Sequence, residues 1–236
     1  MAPAGHPFRG GLWGADLFDR AVVVLPPGRP TLVVSEYRRA CKEHMASLQL
    51  PPGPEGLTYL PGFLSVPEQS VLLRQIQDLP FTHDWHRGRA LKRSNAQFGY
   101  AYVATGQDIV PAAPFPAFLS ELIAKASVFS PGCDIFDQCM VTHYPVGAGI
   151  DWHVDADLFG DCIVVISLVG DARLQFRVKP SVTQRPTYES DIAPGSLYLL
   201  RGPARREYQH RVVAVKNDRY SVIFRSVRNR QHVLAP

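Results

Sequence analysis

The segment Ile150-Asp-Trp-His-Val-Asp155-Ala-Asp157 holds the residues best suited to chemistry. Side chains alternate faces along a strand, so His153 and Asp155 point the same way. An imidazole and a carboxylate on one face supply two ligands of a facial metal site. A third, another His from a distant strand, would leave positions open for substrate and oxygen, and that donor set suits non-haem Fe(II). The triplet alone is weak, because 8 His and the 14 Asp of the chain give about 0.5 His-x-Asp by chance. Order and context add to it. His210 lies between the strand-like segments Ser196–Leu200 and Arg211–Val215, placed to present a ligand at a sheet edge. Arg219-Tyr-Ser-Val-Ile-Phe-Arg225 follows, with 219, 221, 223 and 225 on one strand face and Tyr220, Val222 and Phe224 on the other. Two inward arginines beside a metal are expensive unless an anion meets them. A small dicarboxylate that chelates iron at one end and needs a cation at the other meets that demand.

Taken in order, Tyr144-Pro, Gly149-Ile, His153-x-Asp155-x-Asp157, Ile166-Ser-Leu168, Pro194-Gly-Ser196-Leu, Arg206-x-x-x-His210 and Arg219-x5-Arg225 resemble the AlkB-type Fe(II)/2-oxoglutarate dioxygenases. The resemblance covers roughly residues 57–228. Phe98-Gly-Tyr100 and the Tyr-Pro-x-Gly-x-Gly-Ile layout from Tyr144 are most similar to the branch acting on RNA or tRNA wobble positions. The resemblance implies Fe(II) on His153, Asp155 and His210, with 2-oxoglutarate and O₂ as co-substrates. It gives Arg219 the distal carboxylate of 2-oxoglutarate and Tyr144 a hydrogen bond to the same molecule. Arg225, on the same strand face, is expected nearer the metal and the chelating end. Asp157 matches an acidic residue that touches the target base or orients the metal shell, and Tyr100 an aromatic in a flap over the substrate pocket. Thr142 and Ser221 depart from the pattern, standing where the family often has Asn.

The implied activity is oxidative demethylation or hydroxylation of alkylated or modified bases in DNA, RNA or tRNA. A base inside a duplex could not reach the iron, so a flipped or single-stranded substrate is required. Trp85-His-Arg-Gly-Arg-Ala-Leu-Lys-Arg93 offers basic residues for phosphate, and Phe98, Tyr100 and Tyr102 offer stacking surfaces. The bland alternative is a solvated loop leading into a half-buried strand. His83 and His86 read as surface-loop residues, His143 as facing away from Tyr144, Asp151 and Asp161 as surface charges, and Tyr208 as packing. The same oxygenase chemistry on a protein, lipid or small molecule is an open alternative, because fold and cofactor do not choose the substrate. A non-catalytic nucleic-acid-binding module is another.

The elements that must position these residues follow from the pattern. Prolines in Leu25–Pro30 and Pro51–Pro54 mark off an N-terminal extension, residues 1–56, with a helix suggested by Tyr37, Ala40, Cys41, His44, Met45 and Leu48. Ser65-Val-Pro-Glu68 has capping-box spacing, with Leu72, Ile76 and Leu79 on one helical face, and a second helix is expected over Pro116–Phe129. From Asp137 the texture becomes short β-rich runs: Gln138–His143, Ile163–Leu168, Arg173–Val178, Ser196–Leu200, Arg211–Val215 and Tyr220–Val227. The expected class is α+β, mainly β: a double-stranded β-helix (jelly roll) with supporting helices over residues 57–228, a substrate flap at 80–110 and a tail at 229–236.

Composition agrees. The 236 residues are 46% hydrophobic with a net charge of +4, and 20 Arg against 5 Lys favour grip on planar anions. The net charge is an average: residues 201–236 carry 9 basic and 2 acidic residues, or +7, leaving −3 elsewhere. No apolar run approaches the roughly 18 residues of a membrane span, and the first residues lack a signal-peptide layout. Four cysteines, Cys41, Cys133, Cys139 and Cys162, are too sparse for a disulfide scaffold. A cytoplasmic monomer is expected.

Overall fold

The computed structural model describes residues 52–86, 89–103, 108–133, 135–179 and 185–228. All of them lie in the second of two units, Gln49–Pro236. The helix expected in the extension, Cys41, Arg87, the side chain of His86 and the 229–236 tail lie outside the described residues.

Two antiparallel sheets dominate. Their strands are β1 (Leu57–Leu60), β2 (Thr82–His86), β3 (Arg89–Phe98), β4 (Tyr100–Val103), β5 (Asp108–Pro111), β6 (Gln138–Tyr144), β7 (Ile150–His153), β8 (Phe159–Leu168), β9 (Ala172–Val178), β10 (Tyr188–Ile192), β11 (Leu197–Leu200), β12 (Tyr208–Val212) and β13 (Arg219–Val227). The larger sheet runs β1-β11-β8-β13-β6-β3-β2 and the smaller β10-β9-β12-β7, while β4 and β5 form a separate ribbon. This is the expected double-stranded β-helix. Alternation divides the larger sheet cleanly. One face sends Tyr144, Ile163, Val165, Tyr198 and Leu200 into a core shared with Leu174, Phe176 and Val212 of the smaller sheet. The other face carries Val141, Val164, Ile166, Val222 and Phe224, each fully buried.

Three helices accompany the sheets: α1 (Val66–Gln77), α2 (Ala117–Phe129) and the single turn α3 (Gly202–Arg206). The capping box forms as its spacing predicts: Ser65 Oγ accepts from the Glu68 backbone, and Glu68 returns to the Ser65 N–H at 2.7 Å. Lys125 of α2 reaches the same carboxylate at 2.7 Å. Burial would raise the Glu68 pKa, but these partners hold it below the ordinary value. Leu79 falls beyond the helix, which ends at the Asp78 cap.

Several elements differ from the sequence expectation. β12 spans Tyr208–Val212, so His210 sits in mid-strand rather than between strands. Residues 213–215 leave the ladder, and Val215 N–H bonds Ala148 O at 2.8 Å instead. β3 and β10 escape prediction because their sequences, Arg-Ala-Leu-Lys-Arg-Ser-Asn-Ala-Gln-Phe and Tyr-Glu-Ser-Asp-Ile, lack apolar alternation; pairing with β6 and β9 holds them extended. Cys133 and Cys162 are joined in a disulfide, their Cα atoms 5.6 Å apart. Their sparse spacing gave no sign of that link, which ties the turn after α2 to β8. Cys139 is free and buried. Among the described residues no helix is long and apolar enough to cross a membrane.

Candidate metal and cofactor site

Strand pairing assembles the three expected ligands. β7 and β12 are antiparallel neighbours with His153 directly opposite His210, and the two rings lie 4.3 Å apart. Asp155 follows two residues after His153, its Oδ2 3.4 Å from His210 Nε2. One donor atom from each of the three lies within 4.8 Å of the others. Trp152, on the opposite face of β7, lies against the guanidiniums of Arg177 and Arg211, at 4.5 and 4.7 Å. Those arginines bond Gln209 and Gln175, so the clamp fixes β7 against β9 and β12 from behind.

The electrostatics suit ligation. The His153 Nδ1–H donates to Asp151 O at 2.8 Å, which leaves Nε2 free for a metal. Burial lowers the His153 pKa. Burial, helped by the charge of His153, pushes His210 down to about 3. For Asp155, burial acts upward, but Arg225, the two histidines and Arg205 outweigh it and hold the carboxyl at about 2. Two neutral imidazoles and a carboxylate result, the protonation states that metal ligands need.

A polar row crosses the inner face of the larger sheet beside this cluster. Asn95, Thr142, Ser221 and Ser167 are register partners in turn, none more than 3% exposed. Arg219, 1% exposed, donates from Nε to Ser167 Oγ at 3.2 Å and lies 4.9 Å from the centre of the Tyr144 ring. It forms no ion pair among the described residues. Its Nη1 and the Thr142 hydroxyl are buried without partners. A buried guanidinium with one nitrogen unpartnered, beside an unpartnered hydroxyl, fits the carboxylate end of a small acid. Arg225 lies toward the metal cluster as expected, 3.6 Å from Asp155 Oδ1 and stacked on Phe159.

One cavity joins the metal cluster to Tyr144, Thr142 and Arg225; Arg219, packed against Tyr144, is not itself part of its lining. It is lined by His153, Asp155 and His210, by Tyr144, Thr142 and Arg225, and, from the 80–110 stretch, by Asp84, Arg93, Asn95, Gln97 and Tyr102. Two expected substrate residues do not line it. Asp157 is 93% exposed, its carboxylate 2.7 Å from Arg206 Nη1. Tyr100 packs toward Ile109, Phe159 and Val227, and Tyr102, two residues on, supplies the aromatic wall. Gln97 pins Tyr102 by bonding both its backbone N–H and its carbonyl, at 2.8 and 3.2 Å.

Other expectations resolve individually. His143 does face outward, stacked on Tyr220 at 4.5 Å. Asp161 is a surface charge paired with Arg206 and Arg228, Asp151 is exposed, and Tyr208 packs on Tyr188. His83 is not a loop residue: it lies in β2, its Nδ1 against the carbonyls of Leu91 and Arg93 at 2.8 and 3.2 Å. Sequence reasoning missed Arg205. Fully buried, it donates from Nη1 to Asp155 O at 2.9 Å and from Nη2 to Ala156 O at 2.8 Å.

The sequence pattern of the 2OG-Fe(II) oxygenase superfamily matches residues 56–230. The chain is 29% identical over 199 residues to a protein of Arabidopsis thaliana named alkylated DNA repair protein ALKBH8 homolog. That alignment covers 73% of this chain and 56% of the relative, so the chain spans about half the relative's length. Among solved structures, OsALKBH1 matches with a TM-score of 0.62 at 19% identity, over 75% of this chain and 99% of that one. A 2OG-Fe(II) oxygenase family oxidoreductase from Burkholderia pseudomallei matches at 0.51 and 16%, over 81% and 89%. These two likenesses concern the fold.

Proposed function

Because this chain belongs to the 2OG-Fe(II) oxygenase superfamily, we propose that it is a dioxygenase that oxidises alkylated or modified bases of nucleic acid. Fe(II), 2-oxoglutarate and O₂ are its co-reactants, and the His153, Asp155, His210 cluster is the observation that carries the reading. When bound, the iron and 2-oxoglutarate supply O₂ activation and the oxidising equivalents, with succinate and CO₂ as by-products. On an N-methyl group, the hydroxylated product loses formaldehyde and restores the base.

The chain's own residues bind and orient. His153, Asp155 and His210 hold the metal on one side and leave the cavity side open. Arg219 pairs the far carboxylate of 2-oxoglutarate, with Tyr144 and Thr142 donating hydroxyl hydrogens nearby. Tyr198 is kept a neutral donor, its pKa raised by burial. Arg225 places positive charge beside the carboxylate ligand. The apolar walls from Ile163, Val165 and Leu200 limit the water that reaches the reacting groups.

The nucleic-acid part of the reading draws on the name of the Arabidopsis relative and on the β2–β3 hairpin. Trp85 is 64% exposed there, with Arg89 and Lys92 also exposed and Arg93 lining the cavity. An exposed indole among cations is a stacking platform for an unpaired strand. The test is incubation with Fe(II), 2-oxoglutarate and ascorbate against methylated DNA, RNA and tRNA pools, followed by mass spectrometry of nucleosides and a succinate assay. Specific modified nucleosides should disappear in step with succinate, and His153→Ala should abolish both. Turnover restricted to proteins, lipids or small molecules would overturn the substrate assignment while leaving the oxygenase intact.

A further inference from the structure

The disulfide between the turn after α2 and strand β8 is met by a cation with no acid to pair it. Arg201 directs its Nη2 to Cys133 Sγ at 3.1 Å. It forms no ion pair among the described residues, and its Nε is buried without a partner. Burial works against the charge and lowers the Arg201 pKa. A disulfide sulfur is a neutral, weak acceptor, whereas a thiolate is an anion that would compensate a guanidinium. The surroundings of Cys133 therefore suit its reduced form better than its bonded one.

The two sulfurs also differ in access. Cys133 closes a tight turn, its N–H on Ser130 O at 3.1 Å, with Pro131 and Gly132 exposed between them. Cys133 is only partly buried, whereas Cys162, in β8, is 7% exposed. The acid next to Cys162 does not cancel the cation: Asp161 alternates to the other side of the strand, where Arg206 and Arg228 hold it. An accessible thiol beside a cation, with a second and better shielded thiol in bonding distance, is the arrangement of an attacking and a resolving cysteine. Cys139 has neither feature, being fully buried with its thiol pKa raised by that burial.

We propose that Cys133 and Cys162 form a thiol–disulfide exchange site, Cys133 attacking and Cys162 resolving, whose co-reactant is a small monothiol or its disulfide. In the oxidising direction the Cys133 thiolate attacks one sulfur of the small disulfide and expels the other as a thiolate. Cys162 then gives up its proton to solvent, attacks Cys133 Sγ and expels the second small thiolate. Two protein thiols are oxidised, and one small disulfide is reduced to two thiols. Reduction runs the same steps backward, and its last step releases Cys133 as a thiolate beside Arg201. A stabilised leaving thiolate makes the protein disulfide a labile one. Arg201 also precedes α3 as its N-cap, and Arg205 of that turn bonds Asp155 O. The exchange site thus lies one helical turn from a support of the metal cluster, and it is independent of the substrate reading.

The full chain, equilibrated under argon in mixtures of reduced and oxidised glutathione, then acid-quenched and alkylated, tests this by peptide mass spectrometry. Cys133 and Cys162 should pass reversibly between dithiol and disulfide across those mixtures. Arg201→Met, which removes the charge, should raise the [GSH]²/[GSSG] needed for half reduction by about tenfold or more. Arg201→Lys should restore most of that shift. In Cys162→Ser, oxidised glutathione should load Cys133, and in Cys133→Ser it should leave Cys162 bare. These two variants keep Arg201 and decide the assignment if Arg201→Met does not fold. A disulfide that excess reduced glutathione leaves intact would be purely structural and would overturn the proposal. So would thiols that oxidised glutathione never joins, an unchanged midpoint in folded Arg201→Met, or loading that prefers Cys162. None of these outcomes bears on the oxygenase reading.

Discussion

Arg205 shows what a single buried charge does at this site. Its two bonds end on the carbonyls of Asp155 and Ala156, so it holds the backbone of a metal ligand rather than the ligand's side chain. Groups that support ligands in this way typically contribute about 10- to 100-fold to metal affinity. Arg205→Ala should weaken Co(II) binding by roughly that factor, read from the visible absorption of the bound ion, and Arg205→Lys should recover part of it. Wild-type affinity in the alanine variant would show that the loop holds itself. His153 and Asp155 were legible from their spacing, and His210 from its order downstream. Asp155 nevertheless lies in the loop beyond β7 rather than on the strand face that alternation assumes. The inward pair Arg219 and Arg225 does follow alternation along β13. Arg205 was not legible, because its neighbour Arg206 fits the Arg-x-x-x-His spacing, and only the turn of α3 decides which arginine faces in. Arg206 turns outward to Asp157 and Asp161. Asp84, in the cavity wall, was hidden for a similar reason: its orientation comes from a register shift between β2 and β3, which no local pattern announces.

At the level of elements, the site depends on how closely β7 lies on β12. Gly149 precedes β7, and a Cβ there would stand 2.6 Å from Val212 O, a backbone atom that cannot swing aside. Gly149→Ala should therefore lift the start of β7 and part His153 from His210. The expected result is a loss of Co(II) affinity of about tenfold or more, with cooperative unfolding retained and stability lowered by about 1–3 kcal/mol. Unaltered metal binding would mean that the Trp152 clamp alone fixes β7. The helices α1 and α2 were readable because a capping box and an apolar stripe are local signals, as were the apolar strands β8 and β13. The hairpin β2–β3 and the edge strand β10 were not, since polar strands are made by their partners. The boundary of β12 shifted for the same reason: Val213–Val215 has strand composition, but Val213 and Val215 bond Arg173 and Ala148 instead of extending the ladder.

Across the whole molecule, the residues proposed to hold the metal and 2-oxoglutarate belong to different sheets. His153, Asp155 and His210 come from the smaller sheet and the loop that leaves it, while Arg219, Tyr144 and Thr142 stand on the larger. The sequence displayed both sets but not this division, which depends on the pairing order of distant strands. A molecule bound to the metal at one end and to Arg219 at the other therefore ties the two layers together, and its binding should be strongly coupled to that of the metal. Anything that binds only the folded state stabilises it, by about 2.7 kcal/mol at a hundred times its Kd. Thermal unfolding with Mn(II) alone, 2-oxoglutarate alone and both, under anaerobic conditions, should show a shift for the pair that exceeds the sum of the separate shifts. Thermodynamic reciprocity then requires that 2-oxoglutarate tighten Mn(II) by the same factor that Mn(II) tightens 2-oxoglutarate. Arg219→Ala should keep the metal shift and lose the extra one. Removing the cation from a buried carboxylate is worth about 3–5 kcal/mol, so the 2-oxoglutarate concentration needed should rise by about two to four decades. His153→Ala should lose both shifts. Strictly additive shifts in the wild type would mean that the two sites fill independently, and the bridge between the sheets would then have to be abandoned.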